Sequence, residues 1–180
     1  MSKARVAVAV LSLSAAAFVA RVAHEGYTDG AVIPTKGDVP TVGFGSTIKE
    51  DGSRVQMGDR TDPVSAMRRA LVHFQRDEAK IKECIGREVE LHQVEFDVYS
   101  ELAYNIGTRN FCVNPSTGGP GAIPRKLHAG DYRGACDAIL LYRYAAGYDC
   151  STLINGTPNR RCYGVWKDRL RLHQACLSVQ

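Results

Sequence analysis

Hydrophobic and polar positions follow several periods along this chain, and the period changes at turn residues. From Val6 to Ala20 the run is almost wholly apolar. It continues through Arg21 to Glu25 without Pro or Gly, with Val19, Val22 and Ala23 at helical spacing. A helix is therefore predicted to carry Glu25 at its end, beside Gly26. Between Gly26 and Gly58 the apolar pieces are short and β-branched: Ala31 to Ile33, Val39 to Phe44, and Thr47-Ile48. Polar turns at Lys36-Gly37-Asp38 and Glu50 to Ser53 separate them, which predicts a small antiparallel sheet.

Asp62-Pro63 then opens a long helix, with Asp62 as cap and Pro63 at the first helical position. Val64, Met67, Leu71, Phe74, Ile81 and Ile85 trace one apolar stripe along it, and Gly86 ends it. Further helices are predicted over Leu91 to Ile106, Ala122 to His128, Tyr132 to Tyr144 and Arg160 to Leu177. Gly, Pro and Asn cluster between them, as in Asn114 to Pro120. Helix, small sheet, then many helices is an α+β, mostly helical class.

Composition changes this picture little. At 180 residues, 44% hydrophobic and 23% charged, the chain can bury a sizeable core. The net charge of +4 favours an anionic partner without choosing one. Six cysteines change it more: Cys84, Cys112, Cys136, Cys150, Cys162 and Cys176. None forms a Cys-x-x-Cys pair, and an even number in a short chain fits an oxidising compartment. At least two disulfides are expected. Cys150 and Cys162, with 11 residues between them, are the best local pair, and the other four pair among themselves.

The start of the chain is consistent with export. Lys3 and Arg5 precede the apolar run, and Arg21 closes it. Its 15 residues are short for a membrane span, and alanine and serine supply 8 of them. Ala15-Ala16-Ala17 offers a small-residue cleavage site. Cutting there would leave only seven residues ahead of Glu25 in its helix. The sharper expectation is an uncleaved segment, first an export signal and later part of the fold.

The chemistry centres on Glu25 and on Thr41-Val42-Gly43-Phe44-Gly45. Glycines alternating with apolar residues in a strand suggest close approach by another chain or a ligand. Breaking a glycosidic bond needs a carboxylic acid at the leaving oxygen and a group opposite it that activates water or stabilises the cation. A glutamate at a helix end, facing a small sheet, supplies the first. Partial burial of such a carboxylic acid would keep it protonated.

Residues 24–27, His-Glu-Gly-Tyr, followed by Asp38 to Gly45, resemble the phage lysozymes of glycoside hydrolase family 24. Ala103 to Thr108 with Asn110-Phe111-Cys112 is similar to the family's central-helix motif. Lys126 to Tyr132 with Ala135-Cys136-Asp137, and Thr157 to Arg161, follow in the family's order. The resemblance spans about residues 20–177. It implies a lysozyme-like two-lobed fold, with a small β-hairpin lobe, a long connecting helix, a helical C-terminal lobe and substrate in the cleft. It also implies an N-acetylmuramidase that hydrolyses the β-1,4 bond between N-acetylmuramic acid and N-acetylglucosamine in bacterial peptidoglycan. Glu25 would be the acid, and Thr41 would hold or activate water. On this reading residues 1–21 are the export segment and 22–180 the catalytic domain.

One departure matters. The family's aspartate lies six residues before its threonine, and here that position holds Thr35. Asp38 is the candidate substitute, Asp29 another, and Thr41 or Thr35 acting without an aspartate is the third option. A lytic transglycosylase, which needs no second carboxylate, and an inert wall-binding protein stapled by disulfides are the rival readings. Some phage endolysins use an uncleaved segment in signal-arrest-release. The same behaviour is expected here: a transient tether at the inner membrane, then release of a monomer into the periplasm. No cofactor is implied. The histidines lack a His-x3-His spacing, so no metal is expected, and the aromatics form no nucleic-acid platform. His24 is expected to be structural. Arg160, Arg161, Lys167, Arg169 and Arg171 read as a solvated basic face.

Overall fold

The computed structural model describes residues 4–35, 37–154 and 156–180. Lys3 of the basic start and Lys36 of the first polar turn lie outside the described residues. The chain runs β1 (Val6–Ala7), α1 (Ala15–Glu25), β2 (Thr28–Val32), β3 (Thr41–Gly43), α2 (Pro63–Ile85) and β4 (Glu90–Leu91). It continues with α3 (Gln93–Ile106), α4 (Thr108–Cys112), α5 (Ala122–His128) and α6 (Tyr132–Ala138). Then come β5 (Tyr144–Ala145), β6 (Tyr148–Asp149), β7 (Leu153–Ile154), β8 (Thr157–Pro158) and α7 (Tyr163–Leu177). This is the α+β, mostly helical class that the pattern predicts. Two compact units divide it: Ser14–Ala79, and the chain up to Leu13 together with Lys80–Gln180.

In the Ser14–Ala79 unit, Ser14 caps α1 by accepting a hydrogen bond at Oγ from the Ala17 amide (3.1 Å). Phe18 meets Phe74 edge to face, with ring centroids 5.7 Å apart, and the buried Arg21 guanidinium lies 5.4 Å from the same ring. β2 and β3 pair antiparallel, Thr28 opposite Gly43 and Val32 opposite Thr41, with a register shift between them. Asp62 caps α2 as predicted, its Oδ1 accepting from the amides of Val64 (2.9 Å) and Ser65 (3.0 Å).

The predicted stripe on α2 is only half right. Phe74, Ile81 and Ile85 are buried, but Val64, Met67 and Leu71 are exposed. The first turns instead bury Ala66 and Ala70. Gly43 explains the choice, because a Cβ built on it would stand 2.7 Å from the Ala66 Cβ. A strand pressed that close needs the short side chains of the helix beneath it, and the larger ones face away.

The other unit holds the main core, in which Ile81, Leu91, Phe96, Tyr99, Leu102, Phe111, Ile139 and Leu172 are buried. The first described residues belong to it. β1 pairs with β4, Val6 opposite Leu91, and Val8 and Leu11 sit in the core. The apolar run is therefore not one helix. It is a strand, a 3-10 turn at Val8–Val10 and an extended link before α1 begins at Ala15. Valine at alternate positions suits the extended stretch, and the Ser14 cap fixes where helix starts. Among the described residues, no helix is long and apolar enough to cross a membrane.

Three disulfides join Cys84 to Cys112, Cys136 to Cys176 and Cys150 to Cys162, the last being the predicted local pair. Three predicted helices are shorter than expected, and α3 starts at Gln93 because Leu91 belongs to β4. α6 gives way to a 3-10 turn at Ile139–Leu141. α7 starts at Tyr163 because Asn159, buried, holds a turn: its carbonyl accepts from Tyr163 N (2.9 Å) and its Oδ1 from Arg161 N (3.2 Å). The basic face is also not wholly solvated. Arg169 is buried and ion-paired with Asp168, its Nε donating to the Tyr142 carbonyl (3.1 Å).

Candidate functional site

Every residue singled out for catalysis lies in the Ser14–Ala79 unit. α1 ends at Glu25 because Gly26 takes φ 72°, a left-handed conformation that stops the helix without a Cβ penalty. Both His24 and Glu25 are exposed, so partial burial does not act on Glu25 here. The helix end puts the carboxylate on solvent, where no side chain of its own unit covers it fully.

The structure brings Glu25 to the segment after β3. Gly45, at φ 73°, lies beneath the carboxylate, and a Cβ built on it would stand 3.5 Å from Glu25 Oε2. Thr41 is half-buried on β3, opposite Val32, and its Oγ1 donates to the Val32 carbonyl (3.4 Å). Gly43, between Thr41 and Gly45, lies against Ala66 of α2. The alternating glycines thus serve the close approach that the sequence suggested, one toward Ala66 and one toward Glu25.

Asp38 and Thr35 form a unit of their own. Asp38 N donates to the Thr35 carbonyl (3.0 Å), Thr35 Oγ1 donates to Asp38 Oδ2 (3.3 Å), and Val39 N donates to Asp38 Oδ1 (2.9 Å). Thr35 is therefore hydrogen-bonded to the carboxylate three residues on. Asp29 is exposed and ion-paired with Arg60. That pair occupies its carboxylate, which makes it the weaker candidate. Among the described residues, no group of three or more His, Cys, Asp or Glu could hold a metal ion.

Several residues around Glu25 were not singled out from sequence. The Tyr27 and Phe44 rings lie 5.4 Å apart, and the Tyr27 hydroxyl donates to the Thr61 carbonyl (3.0 Å). Arg69 on α2 donates through Nη1 to both oxygens of Glu50 (2.7 and 2.8 Å) and through Nη2 to Thr61 Oγ1 (2.6 Å). Those bonds hold the Glu50 carboxyl below its ordinary value. Tyr27 and Phe44 stood inside the motifs around Glu25 and Thr41. Arg69 gave no signal, since an arginine within a helix reads as solvated.

A glutamate at a helix end above a small glycine-bearing sheet, in an otherwise helical α+β chain, defines a lysozyme-like protein. The comparisons agree. The Phage lysozyme family model matches residues 22–162. An endolysin of Salmonella phage P22 is 30% identical over 123 residues, 68% of this chain and 75% of that one. Two solved structures share the fold. A mutant of P22 lysozyme has TM-score 0.68 and 24% identity, covering 93% of this chain and 99% of the other. An endolysin from Escherichia coli O157:H7 phage FAHEc1 has TM-score 0.67 and 22% identity, covering 95% and 96%. The chain belongs to the phage lysozyme family, and so is a peptidoglycan-degrading enzyme.

Proposed function

We propose that this protein is an endolysin acting as an N-acetylmuramidase, with Glu25 as the acid that protonates the leaving glycosidic oxygen. The observation that carries the reading is the Glu25 carboxylate, exposed at the end of α1 and lying over Gly45. A sugar chain can reach it there. In the reaction the bond from C1 of N-acetylmuramic acid to O4 of N-acetylglucosamine breaks, and the Glu25 proton goes to O4. A water hydroxyl goes to C1, and the proton that the water gives up goes to Asp38, while solvent reprotonates Glu25. Thr41, with Asp38, would hold and activate that water. The Thr35–Asp38 hydrogen bond supports Asp38 as the group standing in for the family's aspartate.

Glu25→Gln keeps the shape and removes the proton. General acid catalysis contributes roughly 10²–10⁴-fold, so lysis of purified sacculi should fall by at least about 100-fold with melting unchanged. Retention of more than about a tenth of the activity would overturn the assignment. Product mass separates the alternatives, since a transglycosylase product, closed by a hydroxyl of the same sugar, is lighter by one water. An inert wall-binding protein would release no product.

The chain would pass uncleaved into the periplasm, held transiently at the inner membrane by residues 1–21, and act as a monomer after release. Support comes from Val8 and Leu11, which are core residues of the helical unit, so cleavage after Ala17 would remove part of the fold.

A further inference from the structure

We infer that Arg69 is a positioning residue for the catalytic acid, acting through Thr61 on both segments that flank Glu25; this rests on the reading of Glu25 given above. Arg69 projects from α2, its side chain only 10% exposed, with Ala66 one turn before it. Its Nη2 lies 3.4 Å from where a Cβ on Gly43 would stand, so the guanidinium fills the space under the site strand that the glycine leaves. Nε is buried and finds no hydrogen-bond partner among the described residues.

One of the two terminal nitrogens reaches Thr61, and Thr61 is the point from which the loop after Glu25 hangs. Its hydroxyl accepts from Arg69 (2.6 Å), its amide donates to the Asp29 carbonyl (2.9 Å), and its carbonyl accepts from the Tyr27 hydroxyl (3.0 Å). Tyr27 is two residues from Glu25, and its ring leans on Phe44, the neighbour of Gly45. A single guanidinium thus ties the segment at 27–29 to the segment at 43–45. Glu25 lies at one end of this brace and Gly45 at the other. Glu50 takes the second terminal nitrogen and stops the fork from turning. Lysine in this place would supply the charge but no planar fork.

Misplacing a catalytic group by about 1 Å can cost on the order of 100-fold, even when the change is remote from the chemistry. The test uses the full chain and soluble peptidoglycan fragments, with kcat and KM measured separately and the folded fraction read by circular dichroism. Arg69→Met and Thr61→Val should lower kcat about 10- to 100-fold with KM little changed. Thr61→Ser, which keeps the hydroxyl, should restore turnover. Because both act along one path, Arg69→Met combined with Tyr27→Phe should be no worse than the stronger single variant. If Arg69→Met fails to fold, Thr61→Val and Tyr27→Phe decide the matter alone. Unchanged kcat per folded molecule, a loss confined to KM, or additive losses would overturn the inference. An active Glu25→Gln would remove the acid to be positioned, and both readings would fall. An inactive Glu25→Gln beside fully active Arg69 and Thr61 variants would sink this one alone.

Discussion

Asp38 is the proposed substitute for the aspartate that the resemblance places at Thr35, and its surroundings make that role testable. Two donors fix the carboxylate, the Thr35 hydroxyl on Oδ2 and the Val39 amide on Oδ1. A general base must be held and yet keep a lone pair for the water it activates, and each oxygen retains one. Asp38→Asn should therefore reduce turnover about 100-fold without loss of the fold. Thr35→Asp restores the family's usual residue, and adding it to Asp38→Asn should recover activity. Kinetics of the single and double variants against sacculi would check this. Near-normal activity in Asp38→Asn would move the role to Thr41, Thr35 or Asp29. Sequence could point to Asp38 because its turn lies three residues before Thr41. It could not show that Thr35 and Asp38 are bonded to one another, since that depends on how the turn closes.

The elements that escaped sequence reading are the short ones, and their backbones say why. β5 and β6 are joined through Ala146 at φ 48° and Gly147 at φ 81°, a turn whose usual signature is Asn-Gly or Asp-Gly. Alanine hides it. α4, five residues long, is too brief to show a period. The apolar stripe of α2 misled because hydropathy ranks Met67 and Leu71 above Ala66 and Ala70, whereas close packing under Gly43 demands the alanines. By contrast, the capped starts of α2 and the match of α5 to its predicted limits were legible from local chemistry alone. In the hairpin region Asp149 does the holding. Ser151 binds its Oδ1 through both hydroxyl (2.6 Å) and amide (2.9 Å), and Arg143 Nε binds Oδ2 (3.0 Å). The Ser151 bonds first, then Arg143, push the carboxyl down from 3.8 to about 2. A carboxyl depressed by folding contributes stability above its unfolded value and loses it as pH falls through the folded one. The loop that Asp149 organises should thus hold above about pH 4 and loosen toward about pH 2. NMR titration should place the Asp149 midpoint near 2, and Ser151→Ala should raise it. A midpoint at the ordinary value in the unaltered protein would contradict the geometry.

For the whole molecule, the question is what the first described residues do. The structure seats them in the helical unit by three kinds of bond. β1 adds to β4, and beyond it Val8 N donates to the Val89 carbonyl (2.8 Å) and Ala9 N to that of Arg87 (2.9 Å). Val8 and Leu11 enter the core. Arg5 donates to both oxygens of Glu95 (3.2 Å each), a carboxylate with no solvent exposure, which also accepts from His92 N (2.7 Å) and Gln180 Nε2 (2.8 Å). Removing one partner of a buried pair costs about 3–5 kcal/mol. Arg5 is 26% exposed and Glu95 keeps two other donors, so Arg5→Ala should cost about 3 kcal/mol, at the lower end of that range. Nothing in the apolar run announced this seat, because Glu95 lies far along the chain and its burial is a tertiary fact. The same residues cannot be in a membrane and in this core together, so on the proposed export reading a tethered chain would lack its Arg5–Glu95 pair and gain it on release. In cells, full-length protein should move from the membrane to the soluble periplasmic fraction after an uncoupler is added. Its N-terminal sequence should still include Arg5, and Arg5→Ala should release a protein that melts at lower temperature. A soluble, active form beginning near Phe18 would show ordinary cleavage, and would mean that the helical unit stands without its first strand.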